Sequence, residues 1–430
     1  MKRLIYIFSI FCCASINAQQ TPAPKQNEAI SILGATAHIG DGTVIENSII
    51  ILENGKITLC ADATTTKVDY KGTVIDAANK HVYPGFIAPN STLGLLEIDA
   101  VRASNDTREV GKMLPHIRSI IAYNAESKIV ESARPNGVLI GQITPRGGTN
   151  SGTSSIVQFD AWNWEDAVIK EDDGIHMNWP NSFTRGRWWL GEDPAMKVNK
   201  NYSKEIENIN QFVAESKAYL NGEKSPVNLS YGAMKGLYDG SKTLFIHVND
   251  EKGILDAITF KNNNEIKKMV IVGGYEAARV ADALKANNIS VLAQRVHETP
   301  LLNDDDYDYP YKLAKLLVDK GVLVGLENSG DMERANTRNL PFQAGTIAAF
   351  GLDKEEALKL ITSNTAKILG IDDKLGTLEA GKDATLFISE GDALDMRTNQ
   401  LTHAFINGRA ISLETHQTEL WKRYDEKYKK

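Results

Sequence analysis

Cysteine is almost absent: the 430 residues contain three, Cys12, Cys13 and Cys60. The first two fall in an N-terminal stretch with Lys2 and Arg3, an apolar run from Leu4 to Cys13, and small residues ending at Ala18 before Gln19 and Gln20. That stretch reads as a secretory signal. Neither of its cysteines is preceded by the small residues that lipoprotein processing needs. Only Cys60 stays in the mature chain, which excludes an internal disulfide or a thiolate metal cluster and leaves the exported fold to stand on its core. Cys60 closes the strand-like run Lys56 to Cys60, a position for core packing rather than for a nucleophile.

Long apolar runs are missing as well. After the signal nothing approaches the about 20 continuous apolar residues of a membrane span, so no membrane insertion of the mature protein is expected, and its expected location is periplasmic or extracellular. No Lys/Arg cluster interleaved with aromatics occurs. Without Lys2 and Arg3, 46 basic residues face 55 acidic ones, a balance of −9. Such a mildly acidic surface gives no electrostatic case for nucleic acid or anionic lipid.

What is present is a change of texture along the chain. Residues Gln19 to Asn27 are a polar tether. Short strands follow at Ile30–Leu33, Ser48–Leu52, Lys56–Cys60 and Thr73–Asp76, punctuated by turns at Gly40–Gly42 and Glu53–Gly55. From Pro84 the pattern becomes apolar strands separated by helical segments, the signature of a parallel α/β sheet or barrel. Strands are expected from Gly85, Gly137, Ser155, Thr243, Met269, Ile289 and Gly321, with room for an eighth ahead of Thr243. Helices fit Ser203–Leu220, Gly274–Ala286 and Tyr311–Lys320, and Asp353 with Glu356 predicts a capping box for a helix running to Ile361. Beyond Gly376 the texture returns to strands, at Ala384–Ile388 and Thr402–Gly408. Leu420, Trp421 and Tyr424 then predict a docked terminal helix.

Three landmarks occur in order: the strands leading into Pro84-Gly-Phe-Ile87, the segment Ala357 to Gly370, and Gly376 to Leu386. Together they resemble the amidohydrolase superfamily, and more narrowly its imidazolonepropionase-like exported bacterial members, over essentially the whole mature chain. The resemblance implies an α/β fold, a (β/α)8 TIM-type barrel with a composite β-sandwich built from N- and C-terminal segments. Its expected boundaries are a signal peptide at 1–18, sandwich at 19–83, barrel at 84–370, sandwich again at 371–412 and a terminal helix at 413–430. It also implies hydrolysis of non-peptide carbon–nitrogen bonds, in cyclic amides or amidines, by one or two divalent metals that acidify a water and polarise a carbonyl.

The implied ligands are largely substituted. Where the first strand of such proteins reads Pro-Gly-Phe-Ile-Asp-x-His-x-His, this chain has Ala88, Asn90 and Thr92 at the Asp and the two His positions. The lysine of the fourth strand falls near Gln158 or Phe159. His247 is retained after the fifth strand, Gly273 and Gly274 stand where the next histidine belongs, and Asn328 takes the place of the final aspartate. One imidazole, an amide and a hydroxyl make a weak zinc site. A replacement set lies just past the expected strand ends. His247, His297, Asn328 and Asp331 are its catalytic candidates, Asn90, Thr92, Arg146 and Glu327 its substrate-binding candidates, and His247 with His297 the ligands of one divalent metal in a rebuilt site instead of a binuclear centre. Two classes follow, an altered hydrolase of a small-molecule substrate and a non-catalytic protein that binds a small ligand or a homologous amidohydrolase chain.

Other features read as structural. The glycine- and hydroxyl-rich segment Thr144–Ser155 is a turn bordering the pocket more readily than an anion cradle beside Arg146, since it lacks a phosphate loop's Gly-Lys-Ser/Thr ending. Five of the six tryptophans fall between Trp162 and Trp189, where packing of an insertion is favoured over ligand stacking.

Overall fold

A computed structural model describes residues 21–330 and 332–429. Residues 1–20, where the signal is expected, and the candidate Asp331 lie outside the described residues. Among them, strands β1 (Ile30–His38), β2 (Val44–Glu53), β3 (Lys56–Asp62), β4 (Thr73–Asp76) and β5 (His81–Pro84) come first. Next are β6 (Phe86–Ser91), β7 (Val138–Ile143), β8 (Asn150–Gln158) and β9 (Val168–Asn178), then the hairpin β10 (Phe183–Arg185) and β11 (Met196–Val198). The series ends with β12 (Thr243–Val248), β13 (Met269–Gly273), β14 (Ser290–Ala293), β15 (Val324–Leu326), β16 (Leu386–Ser389), β17 (Leu401–Ile406) and β18 (Arg409–Ala410).

Both ends of the chain build one eight-stranded sheet, in the order β18-β17-β16-β5-β1-β2-β3 with β4 beside β1. Ile32, Ile50, Leu52, Ile57, Val82, Leu386 and Phe405 form its apolar core. Cys60 packs half-buried against that core, and burial pushes its thiol up to about 12, which leaves it an unreactive thiol.

The second sheet is a nearly closed barrel, β15-β14-β13-β12-β9-β8-β7-β6. The eighth strand is β9, and its neighbour β8 runs antiparallel to both β7 and β9. Chain length explains the reversal: the link from Ile143 to Asn150 is far shorter than the dozen or more residues of a parallel crossover. The remaining pairs are parallel, so the C-terminal ends of seven strands open on one face. Strands β15 and β6 do not pair. The backbone between them accepts instead, with Leu326 N–H donating to Leu360 O (3.0 Å) and Ile87 N–H to Ile361 O (2.9 Å).

Helices α1 (Tyr202–Asn221), α2 (Glu251–Asn263), α3 (Ala281–Ala286), α4 (Tyr309–Asp319), α5 (Leu340–Ala349), α6 (Lys354–Lys359) and α7 (Ser363–Leu369) accompany the barrel strands, and α8 (His416–Tyr428) ends the chain. Pro310 near the start of α4 replaces an N–H that would go unpaired there, and Leu313 and Leu317, one turn apart, are buried. Each contributes about 1.5–3 kcal/mol by leaving water. Asp353 caps α6 through the N–H groups of Glu355 and Glu356. Glu356 turns its carboxylate to Lys359 instead, and α6 stops at Lys359. The terminal helix forms, yet Trp421 and Tyr424 are 64% and 51% exposed, so they do not dock it.

At the barrel base, Asp160 accepts from Arg134 (3.1 Å), Arg409 of β18 (2.7 Å) and the N–H of Ala23 (2.9 Å). Gln158 also bonds Arg409, at 2.7 Å. The reversed β8 therefore carries Gln158 and Phe159 to the end opposite the strand mouths, which corrects their placing at the expected lysine position.

Candidate functional site

The mouth of the barrel holds a cleft of about 490 Å3 lined by His247, Asn249, Gln294, Arg295, Glu327 and Ser329, among others. Strand alternation sets its floor. In β12, Leu244, Phe245 and Ile246 are buried, and His247 follows at the rim with Asn178 and Val272 as its strand partners. On β9, His176 is fully buried, and Phe245 stacks on it at 4.6 Å. Gly174 makes room for that ring, because a Cβ there would lie 2.3 Å from Phe245 Cε2.

A continuous polar line runs beneath the cleft. Ser154 Oγ donates to Asp173 Oδ1 at 2.7 Å, and Gln142 Nε2 to Asp173 Oδ2 at 2.7 Å. His176 Nε2 meets Ser154 Oγ at 3.0 Å, and its Nδ1 meets His247 Nε2 at 2.9 Å. Burial first, then the charge of Arg146, pulls His247 down to about 3. His176 is held well below the ordinary histidine range by burial, by its histidine partner and by Arg146. Both rings are therefore neutral at pH 7. Ser154 spends its proton on Asp173, so it accepts from His176 Nε2–H. His176 Nδ1 must then accept from His247 Nε2–H, which leaves His247 Nδ1 as the unprotonated nitrogen.

Glu327 lies across the same cleft, 1% exposed. Burial raises its pKa against the opposing effect of donors Ser329 N–H (2.6 Å) and Asn90 Nδ2 (3.1 Å). Asn90 takes a left-handed φ of 52°, which asparagine tolerates better than most residues. Its side-chain oxygen accepts from Arg146 Nη1 (2.9 Å), and its carbonyl from Arg146 Nη2 (2.7 Å). Thr92 and Ser91 give their hydroxyl protons to Glu333.

The structure thus brings His247 and Glu327 together, with Asn90 and Arg146 directly behind Glu327. Thr92 is committed to Glu333, and Asn328 is buried between Gln343 and the Glu333 carbonyl. His297 is not at the cleft: it is exposed and its Nε2 meets Thr346 Oγ1 of α5 at 2.8 Å. The link after β14 holds it against α5 instead, so the expected His247 and His297 metal pair is not assembled. Of the Thr144–Ser155 segment, residues 144–149 form a turn, with the Arg146 and Thr149 N–H groups bonded to the Thr107 and Lys112 carbonyls, and Asn150 to Ser155 belong to β8.

A divalent metal does not fit the side chains present. The facing nitrogens of His176 and His247 are bonded to each other, and Asn90 and Thr92 are saturated. Gly273 has a φ of 91°, and a Cβ there would lie 2.5 Å from Asn249 Oδ1. Among the described residues no group of three or more His, Cys, Asp or Glu side chains is arranged to hold a metal ion.

Sequence reasoning missed His176, Ser154, Asp173 and Glu333. The only sequence signal for His176 was its place in the alternating run Ile175-His-Met177, and the charged residues Lys170 to Asp173 masked the strand.

Residues 187–411, more than half of the chain, match the model of the amidohydrolase family, and the protein belongs to that family. The amidohydrolase tasK of Hapsidospora irregularis is 24% identical over 384 residues, covering 76% of this chain; the chain spans only 37% of that protein. Among solved structures, an amidohydrolase from Thermotoga maritima MSB8 superposes with a TM-score of 0.74 at 22% identity, over 89% of this chain and 99% of that one. A structure described as a putative prolidase from Bifidobacterium longum gives 0.54 at 15% identity, over 94% and 100%. These superpositions establish the fold alone. Among the described residues no helix is long and apolar enough to cross a membrane.

Proposed function

We propose that the protein hydrolyses a non-peptide carbon–nitrogen bond of a small polar molecule, a cyclic amide or amidine, as an imidazolonepropionase-like member of its family. The observation that carries this reading is His247, bonded through Nε2 to the buried His176, on the wall of a cleft shared with Glu327. His247 accepts a hydrogen bond from water and orients it, the Glu327 carboxylate takes the water's proton as the oxygen bonds to the carbonyl or amidine carbon, and Glu327 returns that proton to the departing nitrogen as the carbon–nitrogen bond breaks. His176, Ser154 and Asp173 hold the His247 ring in the required tautomer.

The test is a panel of cyclic amides, amidines and acyl amino acids offered to EDTA-treated protein. Turnover that falls about 100-fold or more in both His247→Ala and Glu327→Gln agrees with the reading. No turnover, or turnover indifferent to both changes, overturns it. The second reading, a non-catalytic binding cup for a small ligand or a homologous amidohydrolase chain, draws on the full commitment of Asn90, Thr92 and Asn328 to internal hydrogen bonds. It is distinguished by saturable binding without product.

The same proposal takes the mature chain as exported, with a signal at 1–18. It takes the eight-stranded sheet from both termini as one face of a composite sandwich, and the barrel, spanning 84–370, as a (β/α)8 type modified by the reversed strand β8.

A further inference from the structure

We propose that Arg146 is the resident cation of this barrel mouth, a guanidinium standing in for the divalent ion that the fold would otherwise hold. The inference rests on the mouth being the working site, and it adds what supplies positive charge there.

Four observations converge on Arg146. Its two terminal nitrogens grip Asn90 by side-chain oxygen and carbonyl, at 2.9 and 2.7 Å, and Asn90 occupies the first substituted histidine position. Through Asn90 the guanidinium is one hydrogen bond from the buried carboxylate of Glu327. On its other side Nη2 lies 3.8 Å from Glu333, the carboxylate that holds Thr92, the second substituted position. The third is the ring-to-ring bond of His176 and His247, two imidazoles whose facing nitrogens satisfy each other and so need no metal between them. Finally, the missing histidine at Gly273 is excluded by backbone φ and by Asn249.

The arrangement is self-consistent. Two buried carboxylates and no metal would leave the mouth with uncompensated negative charge, which is costly in a low-dielectric interior. One guanidinium, always protonated and able to bond a carbonyl and an amide oxygen in a fork, supplies that charge permanently. It also repels any divalent cation approaching the two histidines.

The experiment uses the full mature chain, purified without chelator and without a metal-binding tag. Metal is counted by elemental mass spectrometry, and thermal midpoints are read with EDTA and with zinc. Wild type is expected to carry well under one metal per chain and to keep the same midpoint in both conditions. Arg146→Met is expected to melt lower and to gain a zinc-dependent rise in midpoint, because without the repelling charge the His176–His247 bond can open and free imidazole nitrogens for zinc beside Glu327. Arg146→Lys keeps the charge without the fork, so it should melt lower yet stay indifferent to zinc. A wild type that carries about one metal per chain, lost on His247→Ala, overturns the proposal. So does an Arg146→Met protein as indifferent to zinc as wild type. Should the Met variant not fold, the wild-type metal count and the Lys variant's response to zinc decide. None of these readouts depends on turnover, so the proposal can fail while the hydrolase reading stands, and the reverse.

Discussion

Asn90 and Glu327 meet at 3.1 Å across the seam where β6 and β15, the first and last barrel strands, fail to pair. Backbone carbonyls from the α6–α7 link fill the seam lower down, so this side-chain bond is what ties the two strand ends at the mouth. Asn90→Ala removes the amide and places alanine at a φ of 52°. It should destabilise the protein by about 1–3 kcal/mol for the donor lost from the buried carboxylate and by about 1 kcal/mol more for backbone strain. Asn90→Gly loses the same bond without the strain, so urea unfolding should place glycine between wild type and alanine.

Most strands of both sheets were legible because alternation and turn residues agree with the tertiary pattern. Gly55 follows Asn54 where the β2–β3 turn needs left-handed backbone, and Val270 to Val272 run unbroken because β13 is covered on both faces. Strand β9 was not legible. Its charged half is stabilised by partners distant in sequence, Arg118 for Asp172 and Gln142 with Ser154 for Asp173, and no local pattern reports a partner. The same reason hid His176. The outward turn of His297 was equally beyond periodicity, since it depends on which side of a loop meets Thr346. Family positions located Asn90, Thr92 and His247; what those side chains bond was set by Arg146 and Glu333.

Asp160 binds the buried guanidinium of Arg134, the partly buried one of Arg409, and the backbone of Ala23. Asp160→Ala takes the carboxylate away from both cations, and breaking the buried pair with Arg134 costs about 3–5 kcal/mol. The variant should show a lower thermal midpoint. Limited proteolysis should also cut earlier near residues 21–26, since their anchor is gone.

Acid should weaken the fold through the histidine pair. The folded pKa of His247 is depressed to about 3 from an unfolded value of 6.5, and His176 shifts the same way. A depressed histidine contributes stability that is complete above about pH 6.5 and is lost as pH falls toward the folded value, because the unfolded ring takes up a proton the folded one refuses. Glu327, with its pKa raised, acts oppositely, contributing most at low pH and losing its contribution as pH rises through its folded value. Unfolding free energy should therefore drop from pH 7 to pH 4, and His247→Gln should flatten that slope. A wild-type profile already flat over this window would contradict neutral, buried rings.

The tryptophans divide by burial. Trp179 is 4% exposed, donates its indole N–H to Tyr202 at 3.2 Å and meets Phe260 edge-on. Trp188 and Trp189, at the tip of the β10–β11 hairpin, are 71% and 65% exposed. Packing of an insertion thus describes Trp179 and fails for Trp188, Trp189 and also Trp162, which is 61% exposed. Trp179→Ala opens a cavity beside α1 and α2 and should cost about 3–5 kcal/mol. The double change Trp188→Ala and Trp189→Ala touches no buried surface and should stay within about 0.5 kcal/mol per site. Acrylamide should quench most of the fluorescence lost with that pair and little of the fluorescence lost with Trp179. If the exposed pair proved costly to remove, the hairpin tip would have to be packed against something in solution, and analytical ultracentrifugation of wild type against the double variant would reveal whether that is a second copy of the chain.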